Sequence, residues 1–61
     1  MNFAELASRC PLTTPTVEKI ATQLNGLTHR EAERLVQLAC LGLSENKLIE
    51  RLAQERVRPP N

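Results

Sequence analysis

Apolar residues recur along this chain at intervals of three and four, and turn-forming residues cut the pattern into four segments. In "NFAELASRC", Phe3, Leu6, Ala7 and Cys10 share one helical face, and Pro11 ends the run. In "LTTPTVEKIATQLNG", Thr14 is positioned as an N-cap, with Pro15 at the first helical position where its missing N–H costs nothing. Val17, Ile20, Ala21 and Leu24 form the stripe of that second helix, and Asn25-Gly26 supplies a left-handed stop. "THRE" places Thr28 and Glu31 at capping-box spacing, so a third helix starts after Thr28. Its apolar positions, Ala32, Leu35, Val36, Leu38, Ala39 and Cys40, exceed one stripe, which predicts a central helix. Gly42 ends it and Ser44 opens the last helix, with Leu48, Ile49, Leu52 and Val57 inward. No segment alternates apolar and polar residues as a half-buried strand does. The expectation is an all-α fold: a compact bundle of about four short helices with a helix-turn-helix-like element. One domain spans residues 1–58, and the proline-rich end, residues 59–61, is expected to be a disordered tail.

Composition narrows this picture. The chain has 61 residues, 41% of them hydrophobic, yet Phe3 is its single aromatic, so the core must be aliphatic. A core of that size supplies only about 3–5 kcal/mol, and self-association is one common supplement, which predicts a homodimer or a bound protein partner. Eight Lys and Arg stand against seven Glu for a net charge of +1, so the whole-molecule field is weak and any electrostatic binding needs a local patch.

Cys10 and Cys40 lack CxxC spacing, and a single His, His29, accompanies them, too few ligands for a four-coordinate zinc site. Both fit apolar helix positions and read as small buried hydrophobes, with a disulfide as the alternative. No metal and no cofactor is expected. The N-terminus has no basic region followed by an apolar run, and no apolar stretch approaches about 18 residues, so a cytoplasmic location without membrane partners is expected. Catalysis is not expected either. Every Glu falls on a polar helical face, His29 lies in a first turn beside Arg30, and no Gly-rich phosphate loop is present.

Two segments carry resemblances to bacterial regulators. "ELASRCPLTTPTVEKIATQL" is similar to the helix-turn-helix of many repressors. Ala7 matches the small residue over which the second helix packs, Cys10 the last buried residue of helix one, Leu12 the turn hydrophobe, and Val17 and Ile20 the buried pair of helix two. Pro11 stands where that family usually has Gly at positive φ, so the turn must be altered. The resemblance implies that Thr13, Thr14, Thr16, Lys19 and Gln23 contact double-stranded DNA. The hydroxyls and Lys19 are assigned to phosphate, and Gln23 or Thr16 to base edges; Glu18 lies on the same helix.

"LTHREAERLVQLACLGLSENKLIERL", residues 27–52, resembles the first two helices of a LuxR-type DNA-binding domain, with Leu41 as one extra residue. The resemblance rests on Leu27, Thr28, Arg30, Glu31, Glu33, Leu35, Leu38, Ala39, Gly42, Leu43, Ser44, Glu50, Arg51 and Leu52. That family's third, DNA-reading helix has no counterpart in "AQERVRPPN", and Ile49 replaces a small Ala, which implies a wider crossing and a packing or dimer role.

The combined expectation is a small DNA-binding transcriptional regulator, repressor-like and dimeric. Its alternative is a protein-binding antagonist or adaptor that docks an apolar helical face on a larger regulator or enzyme. A purely structural oligomer-forming module is the third reading. For either leading case the partner or dimer surface is assigned to Leu41, Leu43, Leu48, Ile49, Leu52 and Val57.

Overall fold

The structure, a computed structural model, describes residues 2–57. It contains four helices: α1 (Phe3–Ser8), α2 (Thr14–Gln23), α3 (His29–Cys40) and α4 (Glu45–Val57). Among the described residues there is no strand, so the fold is all-α. The expected tail at 59–61 and the domain end at 58 lie outside the described residues.

The starts of α1, α2 and α3 and the end of α2 rest on identifiable chemistry. Asn2 caps α1, its side-chain oxygen accepting from the amides of Ala4 at 2.9 Å and Glu5 at 3.3 Å. Thr28 and Glu31 form a reciprocal capping box on α3, at 3.1 and 2.9 Å. The end of α2 is a Schellman motif: the amide of Gly26 bonds to the carbonyl of Ala21 and that of Asn25 to Thr22. Asn25, just past the cap, takes the left-handed φ of 59° that this ending requires, and Gly26 follows at 104°. Two boundaries differ from expectation. α1 ends at Ser8, with Arg9 as its C-cap, before it reaches Cys10. Thr13, not Thr14, caps α2, accepting from the amide of Thr16 at 3.4 Å. Proline is tolerated at the first and second helical positions alike, because neither amide has an intrahelical partner, so Pro15 did not fix the register.

The core joins all four helices. Leu6, Ala7, Val17, Ile20, Leu24, Ala32, Leu35, Leu38, Ala39, Leu48 and Leu52 form one buried cluster, with Phe3, Cys10, Leu12, Leu43 and Ile49 packed at its margin. α2 packs against both α1 and α4, whereas the principal partner of α3 is α4. The expectation of a central third helix is therefore corrected. A cleft opens between α1 and α3, lined by Glu5, Arg9, Leu27, His29 and Glu33 among others. The surplus apolar positions of α3 are spent differently: Val36 is half-buried and Cys40 is exposed. Ala32, Leu35, Leu38 and Ala39 already occupy the one stripe this helix turns inward.

Candidate nucleic-acid interface

The turn between α1 and α2 decides whether those helices can present a surface. Glycine at positive φ is the usual solution, and Pro11 excludes it. Here the amide of Leu12 bonds to the carbonyl of Cys10 at 2.8 Å, a three-residue γ-turn centred on Pro11. Asn25 is the one non-glycine residue with positive φ among the described residues, so this turn is the inverse form, whose negative φ proline can supply. Ala7 of α1 and the fully buried Val17 and Ile20 of α2 lie in one core cluster, and α1 packs against α2. Leu12 and Cys10 close the turn from half-buried positions.

Burial of Val17, Ile20, Ala21 and Leu24 turns the opposite face of α2 to solvent. Lys19 and Gln23, assigned from sequence to DNA contact, are exposed there. Thr22, which the sequence reading left out, is exposed beside them, and its spacing of three from Lys19 is the signal that marks it. Pro15 and Glu18 complete the exposed side. The threonines divide. Thr13 is exposed but its hydroxyl serves the cap and lies 2.9 Å from that of Thr16, while Thr14 and Thr16 are half-buried. Lys19 is not a free cation, since its ammonium lies 3.0 Å from Glu45 at the start of α4.

Most remaining charges are also paired within the molecule. Arg9 grips Glu33 with two bonds of 2.9 and 2.8 Å across the α1–α3 cleft. Arg34 and Arg51 converge on Glu55, at 2.9 and 3.2 Å. Arg56 makes the most connected contact. Its guanidinium donates to both carboxylate oxygens of Glu31 and to the main-chain carbonyls of Leu24 and Gly26, tying the end of α4 to the α2–α3 connection. The Arg56 bond holds the Glu31 carboxyl down from its ordinary value of 4.5 to about 2, with the Thr28 amide assisting against partial burial. The Arg9 bond likewise lowers Glu33. Among the described residues, Arg30 and Lys47 are the cations without an ion pair, and Glu5, Glu18 and Glu50 are the corresponding acids.

The apolar surface assigned from sequence needs correction. Leu48 and Leu52 are 0% and 1% exposed and belong to the core, because α4 turns them toward α2 and α3. They cannot contact a partner while the domain is folded. Leu43 and Ile49 are half-buried at the core margin. Leu41 and Val57 are exposed, at 74% and 81%, which also corrects the inward expectation for Val57. They do not form one patch. The Arg56–Glu31 contact shows that α4 ends beside the start of α3, so Val57 lies there and Leu41 follows the far end of α3. A helix of 12 residues separates them by roughly 18 Å. What remains is a shallow apolar depression on α4 lined by Glu50, Ala53, Gln54 and Val57.

His29 is exposed and lines the α1–α3 cleft with Glu5, Arg9 and Glu33. Among the described residues, no three His, Cys, Asp or Glu side chains are placed to hold a metal ion, and no helix is long and apolar enough to cross a membrane. No protein-family model matches the chain, and neither a curated protein nor a solved structure matches it. Its functional reading therefore rests on its own residues and geometry.

Proposed function

We propose that the protein is a small DNA-binding transcriptional regulator that acts as a dimer and presents the outer face of α2 to the duplex. One observation carries this reading: α1 and α2 pack together across a γ-turn at Pro11 that replaces the usual glycine turn, with Lys19, Thr22 and Gln23 together on the exposed side of α2. Lys19 exchanges the Glu45 carboxylate for a backbone phosphate when DNA arrives, which offsets part of its electrostatic gain. Gln23 and Thr22 reach toward base edges, while the Thr13–Thr16 hydroxyl pair lies at the helix start, where the amide dipoles favour phosphate. The dimer contact narrows to the Ala53–Val57 depression with Ile49 beside it. A two-fold pair places two α2 helices about 34 Å apart on a palindromic site.

Fluorescence anisotropy on duplex DNA at low and moderate salt, with the mass of the same sample determined, tests the reading. Lys19→Ala is expected to weaken binding and reduce the salt slope by about one, and Gln23→Ala to change base preference. Absence of sequence-dependent binding by the intact dimer overturns it. The depression at Val57 also favours a second reading, an adaptor that docks a larger protein there. In that case Val57→Glu abolishes capture of the partner while the domain stays helical, and wild-type protein ignores DNA even at low salt.

A further inference from the structure

Cys10 and Cys40 are 30 residues apart in sequence (40 − 10), yet the fold brings the ends of α1 and α3 together. The Cys40 sulfur lies 4.0 Å from the main-chain carbonyl oxygen of Arg9, the residue that directly precedes Cys10. Both thiols are free; Cys40 is exposed and Cys10 half-buried, its S–H donating to the carbonyl of Leu6 at 3.4 Å. The bidentate Arg9–Glu33 pair bridges from the end of α1 to α3 next to this approach.

We propose that Cys10 and Cys40 form a dithiol that hydrogen peroxide converts to an intramolecular disulfide, joining α1 to α3. Cys10 lies in the connection after α1 and Cys40 is the last residue of α3. The adjustment to the Cα separation of about 4.4–6.8 Å that a disulfide needs therefore falls on a connection and a final helical turn. The fully buried Val17, Ile20, Leu35, Leu48 and Leu52 keep their places.

Exposure makes Cys40 the first sulfur to react. Its thiolate attacks one peroxide oxygen, an S–O bond forms, the O–O bond breaks and hydroxide leaves to take up the thiol's proton as water. The sulfur of Cys10, losing its proton, then attacks the Cys40 sulfur. The S–S bond forms, the S–O bond breaks and a second water leaves, so two thiols are oxidised as one peroxide is reduced. Burial pushes the Cys10 thiol up, in keeping with its place as the second reactant. The chemistry is independent of what α2 binds.

Peroxide treatment of the full chain, followed by mass spectrometry without reductant, tests this directly. The expected product is a monomer lighter by about 2 Da, restored by dithiothreitol. In its tryptic digest residues 10–19 are joined to residues 35–47. The oxidised monomer is expected to melt on the order of 10 °C higher than the reduced one. In Cys10→Ser the Cys40 sulfenic acid persists and is trapped by dimedone, and Cys40→Ser forms no bridge. A monomer that instead gains about 16 or 32 Da with the two peptides unlinked overturns the proposal, as does oxidation solely to disulfide-linked dimers.

Discussion

At its N-terminal end α3 is held by a capping box and by Glu31, whose carboxylate meets the Arg56 guanidinium while that same guanidinium binds the carbonyls of Leu24 and Gly26. At its C-terminal end α3 stops on Gly42 at φ 89°, with Leu41 in solvent and the Cys40 sulfur resting near one carbonyl. The first end is fixed by charge and directed hydrogen bonds, so it depends on protonation. The second is fixed by backbone conformation and depends on residue type and thiol state. One helix thus joins an end held by ion pairing to an end held by backbone conformation, and both ends share one core.

The largest change erases the comparison. Leu48→Ala removes a fully buried side chain that supports both ends and is expected to cost about 2–5 kcal/mol. Against a core contribution of about 3–5 kcal/mol, that leaves the chain largely unfolded by far-ultraviolet circular dichroism. A cooperative melt close to the wild type's would show that α4 is not needed.

Arg56→Ala attacks the polar end alone. It strands Glu31 and two carbonyls together, so its melting temperature is expected to fall further than that of Arg9→Ala, which loses one exposed pair. Equal falls in the two variants would mean that the carbonyl contacts contribute nothing.

Acid provides a graded version of the same cut. Because folding lowers Glu31 from 4.5 to about 2, its contribution is present in full above the unfolded value. It fades as pH drops from about 4.5 and is gone below about 2. Denaturant midpoints measured across that window should fall more steeply in the wild type than in Glu31→Gln; identical slopes would detach the end's stability from this carboxylate.

Gly42→Ala sharpens the other end with the smallest effect. A Cβ there meets nothing within 4 Å, so the expected loss of about 1 kcal/mol is purely conformational. It should be the same at pH 7 and pH 3, which a pair of urea melts would check.

The conformational end was legible in the sequence and the polar end only half so. Gly42, Asn25-Gly26 and the Thr28–Glu31 spacing name their own structures, because the chemistry involved spans six residues or fewer. Helical periodicity likewise placed Leu6, Val17, Ile20, Leu35, Leu48 and Leu52 inside. What failed was long-range. Nothing local tells Arg56 to reach 32 residues back to Leu24, or Lys19 to choose Glu45. Cys40 and Val57 are apolar enough for the core, yet they face outward because a helix offers one stripe and better-placed neighbours filled it. At the candidate site, the exposure of Lys19 and Gln23 follows from that same stripe, while their assignment to DNA comes from the resemblance alone. The Pro11 γ-turn did not, because a proline excludes the familiar turn without naming its replacement.

The Arg56 contacts also set the order in which this protein can come into being. Synthesis proceeds from the N-terminus at about 5–20 residues per second, and α1, α2 and α3 are complete before α4 begins. Until α4 is made, the sites that Leu48 and Leu52 fill are empty and the carbonyls of Leu24 and Gly26 have no guanidinium. Nascent chains stopped before residue 45 are therefore expected to remain open to protease and chaperone, and completion of this core waits for α4.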